Sequence, residues 1–249
     1  MGQVQWRRTA GFRVVMHWPQ DGPVPPPAPR NLRARAAGIA GVLLLLIGAV
    51  AVGIAVLAQQ HAPPPSASAA GTLGAGYGRL TLRRSVPVSV RIPAIGVSSR
   101  LLRLGLRTDG TIAVPALPGQ AGRAAWYDDS VTPGQAGAAV IEGHLDSYQG
   151  PAVFFRLGAL RPGDGIDVRL ADGVTAVFSV TGVRQYLKSR FPDRVIYTAP
   201  GFAALRLITC GGTFDYATGH YRSSTVVFAA LTSARRPAHR PRHRRHHGS

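Results

Sequence analysis

The chain of 249 residues is strongly basic, with 29 lysines and arginines against 11 acidic residues and a formal net charge of +18. Its length is enough for one β-barrel or β-sandwich with a core of its own. The charge sits largely at the ends, because six arginines fall in residues 1–35 and six more between Arg235 and Arg245. The sequence contains no compact basic helix and no aromatic-studded basic sheet motif, which argues against nucleic-acid binding.

Residues 36–58, "AAGIAGVLLLLIGAVAVGIAVLA", carry no charged or strongly polar side chain over 23 positions. A helix of that length is roughly 34 Å long, and a bilayer's hydrocarbon core is about 30 Å thick. We therefore predict one transmembrane helix; the alternative is a signal peptide cleaved near "ASA" at 67–69. Arg30, Arg33 and Arg35 precede the apolar segment and no lysine or arginine follows it before Arg79. The positive-inside rule then predicts that residues 1–35 are a cytoplasmic tail and that everything after residue 58 is extracellular.

Residues 59–84 are rich in proline, alanine and glycine and predict a flexible linker. Residues 85–232 consist of short β-branched runs broken by turn dipeptides, which is typical of an all-β barrel or sandwich with short helices. The predicted strands are 86–92, 111–115, 137–143, 165–170, 174–187, 204–210 and 224–231, with a short helix in 152–160 and turns at Asp109-Gly110, Pro133-Gly134, Pro162-Gly163 and Asp172-Gly173. The composition of residues 233–249 predicts a basic disordered tail that lies near anionic wall polymer.

The single cysteine, Cys210, ends the apolar run "LITC" and is followed by two glycines. In an oxidising extracellular space an unpaired thiol is a liability unless it is buried or used. A catalytic cysteine needs a proton partner and a group that stabilises an oxyanion. Outside the two tails the candidates are His144, His220 and Arg222, and spacing alone does not choose between catalysis and a buried, inert thiol.

Three sequence segments resemble the sortases, membrane-anchored cysteine transpeptidases of Gram-positive bacteria. "LITC" followed by "HYR" after a glycine-rich loop is similar to the family's Thr-Cys strand end and the arginine of the next strand. "GH" at 143–144 resembles the histidine-bearing strand end, and "VRIPAIGVSSRLLRLGLRTDGTIAVP" at 90–115 resembles the opening strands. The segment "AWYDDSVTPGQAGAAVIEGHLDSYQGPAVFFRLGALRPGD" is most similar to the class F sortases of actinobacteria.

The resemblance implies an eight-stranded sortase barrel over residues 85–232, in which Cys210 is the nucleophile, His144 the general acid/base and Arg222 the oxyanion or substrate clamp. Thr209 is expected to help position the substrate carbonyl, and Gly211 to allow close approach of the peptide. The implied substrates are a sorting-signal peptide of the Leu-Pro-x-Thr-Gly type and an amine acceptor such as a peptidoglycan precursor. The resemblance implies no cofactor, and the sequence shows no acidic cluster typical of a metal site.

Two other functions are compatible with some of the same residues. An L,D-transpeptidase also works with cysteine and histidine, but its histidine stands two residues before the cysteine, where this chain has Ile208. A non-catalytic, membrane-tethered β-barrel that binds wall polymer through its basic surface would keep Cys210 buried and unreactive.

Overall fold

Eight strands close into a barrel in the order β1-β2-β3-β4-β9-β10-β8-β7, and the short strands β5 and β6 form a separate two-stranded sheet. The strands are β1 Pro87–Ile92, β2 Val97–Leu104, β3 Ala124–Tyr127, β4 Gly137–Gly143, β5 Asp146–Ser147, β6 Gly150–Pro151, β7 Gly165–Leu170, β8 Thr175–Leu187, β9 Ala203–Asp215 and β10 His220–Arg235. One short helix, α1, spans Asp193–Tyr197, and 3-10 helices span Ala67–Ala70, Pro93–Ile95, Leu157–Ala159 and Lys188–Arg190. The predicted eight-stranded all-β barrel is therefore confirmed.

The computed structural model describes residues 62–71, 78–117, 119–198 and 200–236. The predicted transmembrane helix at 36–58 and the tail beyond 236 lie outside these residues. Within the described part of the chain, no helix has the length and apolar character that a bilayer crossing requires. The membrane span consequently stays a prediction.

The barrel core follows the two-residue period of its strands. In β7, Ile166, Val168 and Leu170 are buried while the residues between them are more exposed. In β9, Leu205 and Leu207 belong to the main core, whereas Ile208 belongs to a second, smaller cluster with Val140 and Val226. Successive side chains of a strand point to opposite faces. Odd-numbered residues at this end of β9 therefore face the interior and even-numbered residues face outward.

Several predicted strands and turns are found in the structure. β4 and β7 have the predicted bounds, and the glycines of the four predicted turns all have a positive φ, between 80° and 105°. The predicted strand at 111–115 is wrong, because only Ile112 forms an isolated bridge, to Leu106. Prolines disrupt strand pairing, and Thr111 is held by hydrogen bonds to the Asp109 side chain, so the segment forms a loop. Strands β2, β3, β5 and β6 and helix α1 were not among the predicted elements, and β10 continues past residue 232 to Arg235.

Part of the predicted linker packs on the barrel as a strap, residues 62–71. Ala69 is completely buried, and the Ala70 carbonyl accepts a hydrogen bond from Arg184 Nε at 3.4 Å. A Cβ atom on Gly158 would lie 2.0 Å from the Pro63 carbonyl oxygen, so glycine is required for the strap to approach this closely. Residues 62–71 are thus in contact with the domain instead of forming the expected free coil.

Candidate active site

The strand register brings Cys210 and His144 to neighbouring positions. β4 and β9 are parallel, with Glu142 opposite Ile208. His144 lies two residues after Glu142, just beyond the end of β4, and Cys210 lies two residues after Ile208, still within β9. Because paired strands lie about 5 Å apart, continuing the register places the two residues side by side. Cys210 has the outward-facing parity of β9, and His144 follows Glu142, an outward-facing residue of β4, by two positions.

Cys210 is a free, partly buried cysteine. Its sulfur accepts a hydrogen bond from the Lys188 ammonium, with 3.6 Å between Nζ and Sγ. Lys188 begins the 3-10 helix after β8, and Tyr186, two residues earlier, lies level with Ser224 and Cys210 across the sheet. Lys188 is the only lysine in a chain with 28 arginines. That rarity is the sequence signal that could have identified it, but the sequence analysis missed it.

His144 is partly buried and is oriented by a main-chain group. Its Nε2 lies 2.6 Å from the carbonyl oxygen of Pro115. A carbonyl oxygen only accepts hydrogen bonds, so Nε2 must carry the proton and donate it. Nδ1 has no hydrogen-bond partner in the described part of the chain, and this nitrogen is the one available for proton exchange. His220, the other histidine considered, is exposed at the start of β10, opposite Asp215 at the far end of the hairpin.

Arg222 lies on the same outward face as Cys210, where β10 meets an irregularity in β9. Its guanidinium donates to Asp215 Oδ2 from Nε at 3.2 Å and from Nη2 at 3.0 Å. These hydrogen bonds are the main cause that lowers the pKa of the Asp215 carboxyl below its usual value. The arginine side chain is 66% exposed, and a solvent-exposed ion pair of this kind contributes little to stability. Asp215, which the sequence analysis did not single out, therefore orients the guanidinium more than it stabilises the fold.

The two glycines after Cys210 allow the bulge opposite Arg222. Tyr221 pairs with Phe214 and Ser223 with Gly211, so Gly212 and Thr213 face a single residue of β10. Gly212 has φ of +72°, a left-handed conformation that favours glycine. A Cβ on Gly211 would lie 2.6 Å from Thr225 Oγ1. The prediction that Gly211 permits close approach of a peptide stays a prediction, but the need for glycine here is explained by packing.

Thr209 faces the barrel interior, on the opposite side of β9 from Cys210. Its side chain is buried and Oγ1 has no hydrogen-bond partner in the described structure. Any role in positioning a substrate carbonyl would thus fall to its main chain.

An aromatic cluster ties the β9–β10 hairpin to the chain that follows His144. The Tyr221 hydroxyl donates a short hydrogen bond to Asp146 Oδ2, two residues after His144. Burial and then this carboxylate raise the pKa of Tyr221 well above its usual value. The Phe214 ring packs edge-on against Tyr216 and Tyr221, with centroids 5.1 and 5.0 Å apart. These contacts fix the loop after Cys210 against the segment after His144.

The sortase domain family matches residues 90–232, more than half of the chain and nearly all of the barrel. No curated protein is significantly similar to the sequence. Sortase A from Corynebacterium diphtheriae, as a lid mutant, is 19% identical over 61% of this chain and 73% of that chain, with a TM-score of 0.45. Sortase C-1 from Actinomyces oris is 20% identical over 58% of this chain and 73% of its own, with a TM-score of 0.46.

Sortase C1 from Streptococcus agalactiae is 17% identical over 58% of this chain and 66% of that chain, with a TM-score of 0.45. The family match and the closed eight-stranded barrel agree. The chain belongs to the sortase family of cysteine transpeptidases.

Proposed function

We propose that this sortase cleaves a sorting signal of the Leu-Pro-x-Thr-Gly type after its threonine and transfers the protein to an amine acceptor of the cell wall. The observation that carries the proposal is the strand register of β4, β9 and β10. Continued by two residues, it places His144 beside Cys210, and Arg222 lies on the same outward face. The Lys188 ammonium, 3.6 Å from Sγ, adds positive charge beside the sulfur. Positive charge stabilises a thiolate, which is the nucleophilic form.

The reaction proceeds in two acyl transfers. The Cys210 thiolate attacks the threonine carbonyl carbon, and the carbonyl oxygen becomes an oxyanion. Arg222, which is always charged and only donates hydrogen bonds, stabilises that oxyanion. The tetrahedral intermediate collapses to a thioester as the C–N bond breaks and His144 donates a proton to the leaving glycine amine.

The second transfer reverses these roles. His144, now neutral, accepts a proton from the acceptor amine as its nitrogen attacks the thioester carbonyl. The C–S bond breaks, an amide bond forms, and the Cys210 thiolate is regenerated beside Lys188. Asp215 keeps the Arg222 guanidinium oriented through both steps and is a positioning residue.

We further propose that the protein is anchored by residues 36–58 with its N-terminus in the cytoplasm and its barrel outside the cell. The charge asymmetry around that segment supports this orientation. Membership of the class F sortases is part of the proposal and is supported by the sequence around His144.

The test uses the full-length chain in detergent with a fluorogenic Leu-Pro-x-Thr-Gly peptide, with and without an amine acceptor. We expect cleavage between threonine and glycine, a covalent adduct on Cys210 detectable by mass spectrometry, and a new amide product when the amine is present. Cys210→Ala should abolish all three, and His144→Ala and Arg222→Ala should reduce them strongly. If a broad panel of sorting peptides stays intact and an alkylating probe leaves Cys210 unmodified, the tethered wall-binding module replaces the enzyme.

A further inference from the structure

A groove of about 800 Å³ runs along the outer face of the barrel and is lined by residues of β3, β4 and α1. Its lining includes the carboxylates of Asp129, Glu142 and Asp193 and the rings of Tyr127 and Tyr197. None of the described lining residues is a lysine, arginine or histidine. In a chain with a net charge of +18, this groove is locally acidic and complementary to a cation.

Glu142 is a groove residue whose carboxylate lacks a hydrogen-bond or ion-pair partner among the described residues. It is the only glutamate in the chain. Its carboxylate forms no ion pair and accepts no hydrogen bond from any residue that the structure describes, and burial raises its pKa to about 7. A partly buried carboxyl without a partner costs stability, and such residues concentrate at binding and catalytic sites. The groove therefore contains an acceptor that a ligand can satisfy.

The position of Glu142 links the groove to the reaction site. Glu142 precedes His144 by two residues, and its partner in the register, Ile208, precedes Cys210 by two residues. Two residues of an extended chain span about 7 Å. A peptide whose scissile carbonyl lies at Cys210 therefore has its neighbouring residue within reach of Glu142.

The geometry favours an organic cation over a metal ion as the ligand. Within the described ranges, no three or more His, Cys, Asp or Glu side chains are arranged to hold a metal ion. A flexible lysine or arginine side chain needs only one ionised carboxylate. It can lay its methylene groups along apolar surface while its charged end reaches that carboxylate.

We propose that Glu142 is a specificity-determining residue that binds a lysine or arginine side chain of the sorting signal, at the second residue before the scissile bond, which is the x of Leu-Pro-x-Thr-Gly. This inference rests on the proposed function of the same site and adds the substrate preference. The Glu142 carboxylate pairs with the substrate cation in a partly buried groove, where an ion pair is stronger than at an exposed surface. Tyr127 and Tyr197 line the same groove, and aromatic rings close to a cation attract it.

The experiment compares peptides that carry lysine, its neutral isostere norleucine, or glutamate at x, cleaved by the full-length wild-type protein. We expect kcat/KM for the lysine peptide to exceed that for the norleucine peptide at least tenfold. Glu142→Gln should reduce this ratio to within about twofold, and Glu142→Lys should make the glutamate peptide the preferred substrate. Asp167→Asn is the control, because Asp167 lies on β7, outside the groove, and pairs with Arg235.

Two outcomes separate this inference from the proposed function. Efficient, Cys210-dependent cleavage of all three peptides at equal rates would overturn the role of Glu142 and leave the transpeptidase intact. If the wild type cleaves none of them, the peptides are bound to full-length Cys210→Ala and followed by fluorescence anisotropy. A tenfold preference for the lysine peptide that Glu142→Gln removes would then support the cation site, and equal affinities would overturn it.

Discussion

The two faces of β9 differ in how they use the same strand. The inward residues Leu205 and Leu207 are buried in the main core, where a large apolar contact area stabilises the barrel. The outward residues are Arg206, Ile208 and Cys210, and this face carries polar and reactive groups. The chain's only cysteine, only lysine and only glutamate all lie at or beside this outward face. The difference teaches that the barrel's stability and its chemistry are assigned to alternate residues, so substitutions can separate them.

The largest effect that we expect from the outward face comes from Arg222. Arg222→Ala should reduce kcat/KM for the sorting peptide by roughly 100- to 1000-fold, because an oxyanion donor is lost. Asp215→Asn should cost roughly tenfold, since the guanidinium keeps its charge and loses one anchor. The matched control is Arg235→Ala, which removes an ion pair at the opposite end of β10. An Arg235→Ala loss equal to that of Arg222→Ala would remove the oxyanion role.

Substitutions of inward-facing apolar residues should lower the free energy of unfolding. Leu207→Ala removes a fully buried side chain, and we expect the free energy of unfolding to fall by about 2–5 kcal/mol. Leu187→Ala, at a position that is 52% exposed, should change it by less than about 0.5 kcal/mol. Urea unfolding followed by tryptophan fluorescence measures both. Equal costs at the two positions would contradict the assignment of the core.

Glu142, on the outward face, should make the folded protein less stable as the pH rises. Its pKa is about 7 in the folded chain against an ordinary value of 4.5, so the folded state holds the proton more tightly than the unfolded state. The free energy of unfolding is therefore highest below pH 4.5 and falls as the pH rises from 4.5 to 7. The total decrease from this group is up to about 3 kcal/mol, and no further decrease follows above pH 7. Asp129, Asp193, Tyr127 and Tyr197 line the same groove.

Glu142→Gln should therefore be more stable than the wild type at pH 8, and this advantage should vanish near pH 4. Asp215, with a lowered pKa, contributes in the opposite sense, since its contribution is lost as the pH falls. Unfolding of wild type, Glu142→Gln and Asp215→Asn from pH 8 to below the ordinary Asp pKa of 3.8 would separate the two groups, because Asp215 titrates below that value and Glu142 above 4.5. A constant difference between Glu142→Gln and the wild type over that range would refute the raised pKa.

Lys188 should have a smaller effect, on the reactivity of the thiol. Lys188→Gln removes the charge 3.6 Å from Sγ and should slow alkylation of Cys210 by iodoacetamide at pH 7 roughly tenfold. Lys188→Arg should retain most of the rate because it retains the charge. Arg190→Gln, in the same 3-10 helix, is the control for a general loss of positive potential. Equal slowing by Lys188→Gln and Arg190→Gln would show that proximity to the sulfur is unimportant.

The smallest effect is expected at Thr209. Its buried hydroxyl has no partner within the described structure, so Thr209→Val should raise the free energy of unfolding by about 1 kcal/mol. Thr225→Val, at the inward position directly opposite, is the comparison. If Thr209→Val instead lowers peptide cleavage tenfold or more without changing stability, the hydroxyl serves the reaction in spite of facing the interior.

The sequence was sufficient for the parts of the molecule that depend on local pattern. Alternating or continuous apolar runs predicted β4 and β7 with their correct bounds, and glycine-containing dipeptides predicted the four turns. The strand at 111–115 was wrong, because an apolar run beside prolines and an Asp-Gly turn gains no partner strand. Helix α1 is only five residues long, too short for a periodic pattern to develop.

The candidate site was partly accessible from sequence. Cys210, His144 and Arg222 were identified by resemblance, and their catalytic roles stay predictions. Lys188 and Asp215 were missed because their importance depends on contacts across strands. Lys188, in the 3-10 helix just after β8, reaches the sulfur on β9, and Asp215 accepts hydrogen bonds from Arg222 across the hairpin. Counting rare residue types would have drawn attention to Lys188 and Glu142, but only the strand register relates them to Cys210.

The parallel pairing of β4 with β9 has a consequence for folding. Glu142 and Ile208 are neighbours in space although a long segment, including β7 and β8, separates them along the chain. Contacts between such distant segments carry a large loop-closure cost and are typical of slow-folding topologies. The pair of Cys210 and His144 therefore comes together only when the barrel closes. Recovery of peptide cleavage after dilution from denaturant would count molecules that have completed that closure, while recovery of strand content alone would not.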